Sequence, residues 1–110
     1  DQDPVEPHDA YADDMVLAEG LHRFEQAMDI PVTRVERSWA GLRTFTQDRT
    51  PVVGYDPAAE GFFWLAGQGG YGIQTSPGLS ALAANLIRRE PPPAALESVV
   101  EALSPARFRH

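Results

Sequence analysis

The densest group of residues able to do chemistry in this chain is Gly67-Gln68-Gly69-Gly70-Tyr71-Gly72-Ile73-Gln74. It lies between an aromatic apolar run, Gly61 to Ala66, and a helical pattern. A glycine-rich turn between a strand and a helix brings backbone N–H groups and the positive end of a helix dipole close to a bound anion. Gly67, Gly69 and Gly72 satisfy G-x-G-x-x-G in that setting, the spacing that seats a dinucleotide pyrophosphate on a helix. The continuation does not complete such a site. A dinucleotide fold needs a second parallel strand after the helix, with an acidic residue at its end roughly 20 residues on. Glu90-Pro91-Pro92-Pro93 occupies that place, and no apolar strand follows.

Most other chemistries lack the residues they need. Cysteine is absent, which removes disulfides, thiolate metal sites and thiol nucleophiles together. His22 falls on the polar flank of a helix and reads as solvated, while His8 and His110 lie near the ends without metal-ligand spacing. Asp9, Asp13 and Asp14 read as a charged helix start, not a carboxylate dyad. A formal charge of −7 argues against nucleic acid, whose phosphates are bound through clustered Lys and Arg. The longest apolar stretch, near residues 62–66, is far short of the roughly 20 residues of a membrane helix. These features together point to a cytoplasmic protein with no membrane span.

The elements that must carry the glycine loop can be read from periodicity. Leu17, Leu21, Phe24 and Met28 recur at helical steps and predict an amphipathic helix over about 12–29, ended by Ile30-Pro31. Thr33 to Thr46 reads as a long strand with Val35, Arg37, Trp39, Gly41, Arg43 and Phe45 on one face, and Gly41 marks a bulge or a close approach. Val52 to Tyr55 is a short strand, Asp56-Pro57 opens a turn, and a second short strand covers about 62–66. Ile73, Leu79, Leu82, Leu86 and Ile87 lay an apolar stripe that predicts a helix over about 75–89. Pro77 fits it only if the regular helix begins late. A shorter helix over about 94–103 follows. Trp39 and Trp64 are expected in the core, as aromatic strand residues usually are.

Three spaced motifs in one order carry a resemblance: Trp39-Ala40-Gly41-Leu42-Arg43-Thr44, then Asp48 to Pro51-Val52-Val53-Gly54, then Gly67-Gln68-Gly69-Gly70-Tyr71-Gly72-Ile73 with Pro77. Together they resemble the C-terminal part of the FAD-dependent D-amino-acid oxidase family, which includes glycine oxidase and D-amino-acid dehydrogenase. The resemblance is close over about 32–90 and looser over 1–31. It implies an α/β or α+β partial domain. Residues 1–50 would be the end of a substrate-binding domain and 51–110 the C-terminal strand, loop and helix of a flavin-binding domain.

The resemblance also assigns roles. Arg43 aligns with the arginine that grips the substrate carboxylate, a task suited to the two parallel N–H donors of a guanidinium. The residues from Gly69 to Gln74, that is Gly69, Gly70, Tyr71, Gly72, Ile73 and Gln74, align with the segment along the pyrimidine edge of the flavin. Gly70 would offer its carbonyl to the substrate amine. Gln68 stands where some members have histidine and cannot act as an acid or base near neutral pH. Tyr71 either lines the substrate pocket or packs.

The implied reaction oxidises a small amine or amino acid to an imine at FAD, for which this chain would hold an incomplete site. Asp1 opens a Pro-bearing lead, Asp3-Pro4-Val5-Glu6-Pro7, that reads like the middle of a longer polypeptide, although removal of an initiator Met accounts for the first residue equally well. In the family the pyrophosphate fingerprint lies in an N-terminal half that this sequence does not contain. The expectation is therefore a C-terminal fragment, inactive alone, whose partner is that missing half or a second copy of itself. A separate subunit of a split enzyme and a non-catalytic interaction domain of the same descent are the alternatives.

Overall fold

The computed structural model describes residues 4–109, so the features at Asp1, Asp3 and His110 lie outside the described residues. The chain divides into two compact units, residues 1–42 and 43–110. It is an α+β chain of helices and one small antiparallel sheet.

The first unit is built on α1, Asp14–Ala27. Asp13 caps it by accepting hydrogen bonds from the N–H groups of Met15 and Val16, each at 2.9 Å, which satisfies two of the donors a helix start leaves open. Asp14 adds a favourable charge at the positive end of the dipole. Arg23 and Glu19 pair one turn apart on its surface. None of its side chains is buried; Phe24 and Met28 remain exposed. Beyond α1, residues 30–46 form no strand. The expectation of a long strand over 33–46 is corrected here, because alternation places side chains on two faces but a strand persists only against a neighbouring edge. Trp39 is accordingly 82% exposed, not a core residue, and no atom lies within 4 Å of where a side chain on Gly41 would start.

The second unit carries the core. Strands β1 (Val52–Tyr55) and β2 (Phe63–Ala66) pair antiparallel, with Val52 opposite Ala66 and Tyr55 opposite Phe63. Asp56 ties their connection by accepting from the N–H groups of Ala58 and Ala59 and from the indole of Trp64 at 2.9 Å. Trp64, expected in the core, is instead 39% exposed, because its indole N–H is held at the surface by Asp56.

Helix α2, Gly72–Ile87, packs on β1 through Leu82 and Ala83, which join Val53 and Leu103 in the buried cluster. Phe63, Leu79, Leu86, Leu96 and Val100 pack around it. The helix starts earlier than expected, so Pro77 lies inside it. Proline cannot donate to the carbonyl of Ile73 one turn back; the Ser76 hydroxyl donates to that carbonyl instead, at 3.0 Å. The end is set before the triple proline. Arg89 takes a left-handed φ of 56°, and the N–H groups of Arg89 and Glu90 donate to the carbonyls of Leu86 and Asn85, the Schellman arrangement of helix ends. The Tyr55 hydroxyl donates to the Ile87 carbonyl at 3.1 Å and ties β1 to that end. A 3-10 turn (Ala94–Val99), the one-turn helix α3 (Val100–Leu103) and a last 3-10 turn (Pro105–Phe108) complete the unit. Among the described residues, no helix is long and apolar enough to cross a membrane.

Candidate functional site

The glycine loop between β2 and α2 lies along the segment Arg43 to Thr46. The Gly69 N–H donates to the Thr44 carbonyl at 3.1 Å, and the side chains on either side of Thr44 fill the space where the glycines have none. A Cβ on Gly67 would stand 2.9 Å from Thr46 Cγ2, one on Gly69 would stand 2.8 Å from Phe45 Cδ1, and one on Gly70 would stand 2.9 Å from Arg43 Nη1. Gly67 and Gly69 also hold φ angles of 71° and 52°, in the left-handed region that strongly favours glycine. At these two positions the glycines admit the chain's own 43–46 segment. Residues 43–50, which the sequence groups with the N-terminal half, thus pack within the second unit.

This arrangement brings two predicted site residues together. Arg43 lies against Gly70, although they come from separate motifs. Among the described residues Arg43 makes no hydrogen bond or ion pair, whereas Arg23, Arg34, Arg88, Arg107 and Arg109 each have a carboxylate. The guanidinium is exposed beside bare backbone, with its donors uncommitted.

The start of α2 adds a second set of donors. The Gln68 carbonyl accepts from the Tyr71 N–H at 3.0 Å, and the Tyr71 carbonyl accepts from both the N–H and the hydroxyl of Thr75. Tyr71 precedes the helix without any side-chain cap. The N–H groups of Gly70, Gly72, Ile73 and Gln74 donate to no acceptor among the described residues. Unpaired N–H groups at a helix start are the partial positive charges of the dipole. The edge of the second unit is therefore a row of donors with a free guanidinium beside it.

Tyr71 is 54% exposed and Ile73 is 96% exposed, so neither packs into the core of this unit. Gln68 is half-buried beneath the helix start, its Cβ 3.7 Å from where one on Gly72 would lie. Gln74 lines an open apolar groove of about 260 Å³ with Pro77, Leu79 and Leu96.

Three residues that position the site were not singled out by sequence: Thr44, Phe45 and Thr46. The Thr46-x-Asp48-x-Thr50 spacing is the signal that was available, since short polar side chains at such intervals close local turns. The Thr46 hydroxyl lies 2.8 Å from Asp48 Oδ1 and 2.7 Å from the Thr50 carbonyl, and the Thr50 N–H donates to Asp48 Oδ1 at 3.0 Å. Asp48 also receives the Arg107 guanidinium. Those bonds, Arg107 first, hold its carboxyl far below the usual carboxylate range. The Trp64 indole N–H, followed by the Ala58 N–H, lowers Asp56 in the same way.

Residues 1–86 match the family described as FAD dependent oxidoreductase, and the chain belongs to that family. It is 37% identical over 71 residues to a glycine oxidase of Geobacillus kaustophilus (strain HTA426), a match covering 64% of this chain and 19% of that protein. The chain therefore corresponds to about a fifth of that relative's length.

The residues at the loop fit a flavin edge. The pyrimidine side of a flavin presents carbonyl and ring-nitrogen acceptors, and the loop presents N–H donors with no internal partner.

Proposed function

We propose that this chain is the C-terminal part of an FAD-dependent oxidoreductase that oxidises a small amine or amino acid to an imine. The observation that carries the reading is the placement of an unpaired Arg43 against Gly70, next to a row of free N–H groups at the start of α2. When bound, the flavin supplies the redox chemistry by accepting two electrons from the substrate.

This chain's residues do the rest by binding and orientation. Arg43 holds the substrate carboxylate through two parallel donors, which fixes direction as well as charge. The Gly70 carbonyl accepts from the substrate amine, so the two polar ends of an amino acid are held by groups that already adjoin. The unpaired N–H groups of Gly72, Ile73 and Gln74 would hold the acceptor edge of a bound flavin. Donors fixed before the reaction stabilise developing negative charge without reorganising, and a helix start contributes typically about 0.3–1 kcal/mol. Gln68 supplies no acid or base, and Tyr71 and Ile73, exposed beside the donors, would offer apolar contact to a bound flavin. Since residues 67–74 form only one edge of a flavin site, the chain binds FAD and turns over substrate together with the N-terminal glycine fingerprint of the family.

The test combines this chain with a polypeptide of the family that carries that fingerprint. A yellow complex that oxidises a carboxylate-bearing amine, and whose Arg43→Ala variant keeps its flavin absorbance while KM rises at least tenfold, supports the reading. Equal turnover by the Arg43→Ala complex would remove the carboxylate assignment. A complex that stays colourless would favour a non-catalytic interaction domain.

A further inference from the structure

Residues 87–110 lie beyond the span that matches the family, yet they supply the best-connected arginine among the described residues. Arg107 Nε donates to Asp48 Oδ2 at 2.7 Å, and its Nη2 donates to the Thr50 carbonyl at 2.6 Å and to Asp48 Oδ1 at 3.2 Å. Its Nη1 donates to the Ser104 carbonyl at 3.1 Å, and the guanidinium lies 4.1 Å from the centre of the Phe108 ring. The side chain is only 15% exposed. Its own segment is fixed in turn: Pro105 is buried against β1, where a Cβ on Gly54 would stand 3.0 Å from Pro105 Cδ.

The contacts continue from that anchor toward the site. Asp48 and Thr50 are joined to Thr46 through its hydroxyl. Thr46 abuts Gly67, and Thr44, two residues earlier, holds the Gly69 N–H. Arg43 follows directly at Gly70. An extended segment that lacks a ladder has few bonds of its own to fix it, so its free end is set by the turn at its other end.

We propose that Arg107 is a positioning residue for the site: by clamping the 47–50 turn it keeps Thr44 on Gly69 and Arg43 beside Gly70. The fork geometry matters, because one guanidinium reaches a carboxylate and two carbonyls at once, which an ammonium on a flexible stem cannot reproduce. The role in substrate orientation rests on the reading of Arg43 given above, whereas the clamp itself can be tested without any flavin.

Residue-resolved hydrogen exchange on the 110-residue chain provides that test, comparing the Gly69 amide with the amides of the β1–β2 ladder. Arg107→Ala speeds exchange at Gly69 about tenfold, the scale expected for losing hydrogen bonds to a charged group, and leaves the ladder within about twofold. Arg107→Lys, which retains the charge, gives a smaller increase confined to Gly69, and it carries the test if the alanine variant fails to fold. An unchanged Gly69 amide, or an equal acceleration of Gly69 and the ladder, overturns the proposal. Failure of the unaltered protein to join a flavin-bearing partner would count against the functional reading alone, because the exchange result decides the clamp independently.

Discussion

Arg43 and Gly70 meet side chain against backbone: a Cβ on Gly70 would stand 2.9 Å from the guanidinium Nη1. Gly70 does not require a positive φ, so Gly70→Ala adds one methyl group without straining the backbone. The atom it meets is the far end of a flexible side chain, which can swing aside. We expect stability within about 0.5 kcal/mol of the parent and a guanidinium displaced from the site. Thermal unfolding and the KM of the reconstituted enzyme check the two halves separately, and a destabilised variant with unchanged KM would contradict both.

Gly69→Ala has the opposite profile. Position 69 holds a left-handed φ, and its missing Cβ is replaced by the Phe45 ring. A side chain there costs about 1–3 kcal/mol in backbone strain, and the ring must shift besides. The expected result is a chain with a clearly lower urea midpoint and a lost bond between Gly69 and Thr44. Finding Gly69→Ala as stable as Gly70→Ala would show that the loop adopts another conformation in solution.

Leu82 is fully buried at the centre of the cluster with Val53, Ala83 and Leu103. Leu82→Ala removes about 2–5 kcal/mol through lost burial and the cavity left behind. Against the stability of a small core, that is enough to unfold much of the second unit at room temperature. Circular dichroism should show helix loss greater than α2 alone would explain, since the short helices after it share the same cluster.

Ser76 and Pro77 are expected to couple. Ser76→Ala leaves the Ile73 carbonyl without the hydroxyl that replaces the missing proline N–H. Water reaches this exposed turn, so the cost is small, about 0.5 kcal/mol. In a Pro77→Ala background the helix supplies its own donor, and Ser76→Ala should then be neutral. A double-mutant cycle in denaturant measures the difference; additive effects would mean the hydroxyl does not stand in for the proline N–H.

Acid should weaken the second unit. Asp48, Asp56 and Glu90 all have carboxyl groups lowered from ordinary values, Asp48 chiefly by Arg107, Asp56 chiefly by the Trp64 indole and Glu90 chiefly by Arg88. A depressed folded-state pKa means that the unfolded chain binds more protons in this range, so stability rises with pH there. The contribution is complete above the unfolded values and is lost as pH falls below about 4 toward the folded ones. Urea midpoints should be level near pH 6 and fall by pH 3, and Asp48→Asn should flatten that fall. The same slope in Asp48→Asn and the parent would place the sensitivity elsewhere.

Local pattern was sufficient where the determining interactions are local. The helical spacing of Leu17, Leu21, Phe24 and Met28 locates α1, and Asp13 caps it as its residue type allows. The short strands at Val52 and Phe63 form the hairpin that the Asp56-Pro57 turn requires. Helix α2 ends at Ile87, two residues before the expected Arg89, on a Schellman turn ahead of the prolines. The misses have a common cause in partners that periodicity does not contain. Thr33 to Thr46 alternates like a strand but pairs with no strand among the described residues, and Trp39 stays in water. Pro77 argues for a late helix start until the Ser76 hydroxyl is seen to replace the missing donor. In the site, the family motifs were readable one by one. Their contact was not, because Arg43 is brought against Gly70 by the Thr44–Gly69 hydrogen bond between segments 25 residues apart in sequence. Arg107 and Asp48, 59 residues apart, left no local trace at all.

The two indoles are distributed one to each unit. Trp39 belongs to the first and is almost fully in water, while Trp64 belongs to the second with its N–H on Asp56. The protein therefore carries its own pair of optical reporters. Emission from Trp39 should resemble that of a free indole and follow events in the first unit. A Trp39→Phe chain leaves Trp64 alone, whose colour and quenching then register protonation of Asp56 and any ring that stacks beside the hairpin. Because a flavin absorbs where indoles emit, the same tryptophan would lose intensity when a cofactor-bearing partner docks nearby, giving a label-free signal for assembly.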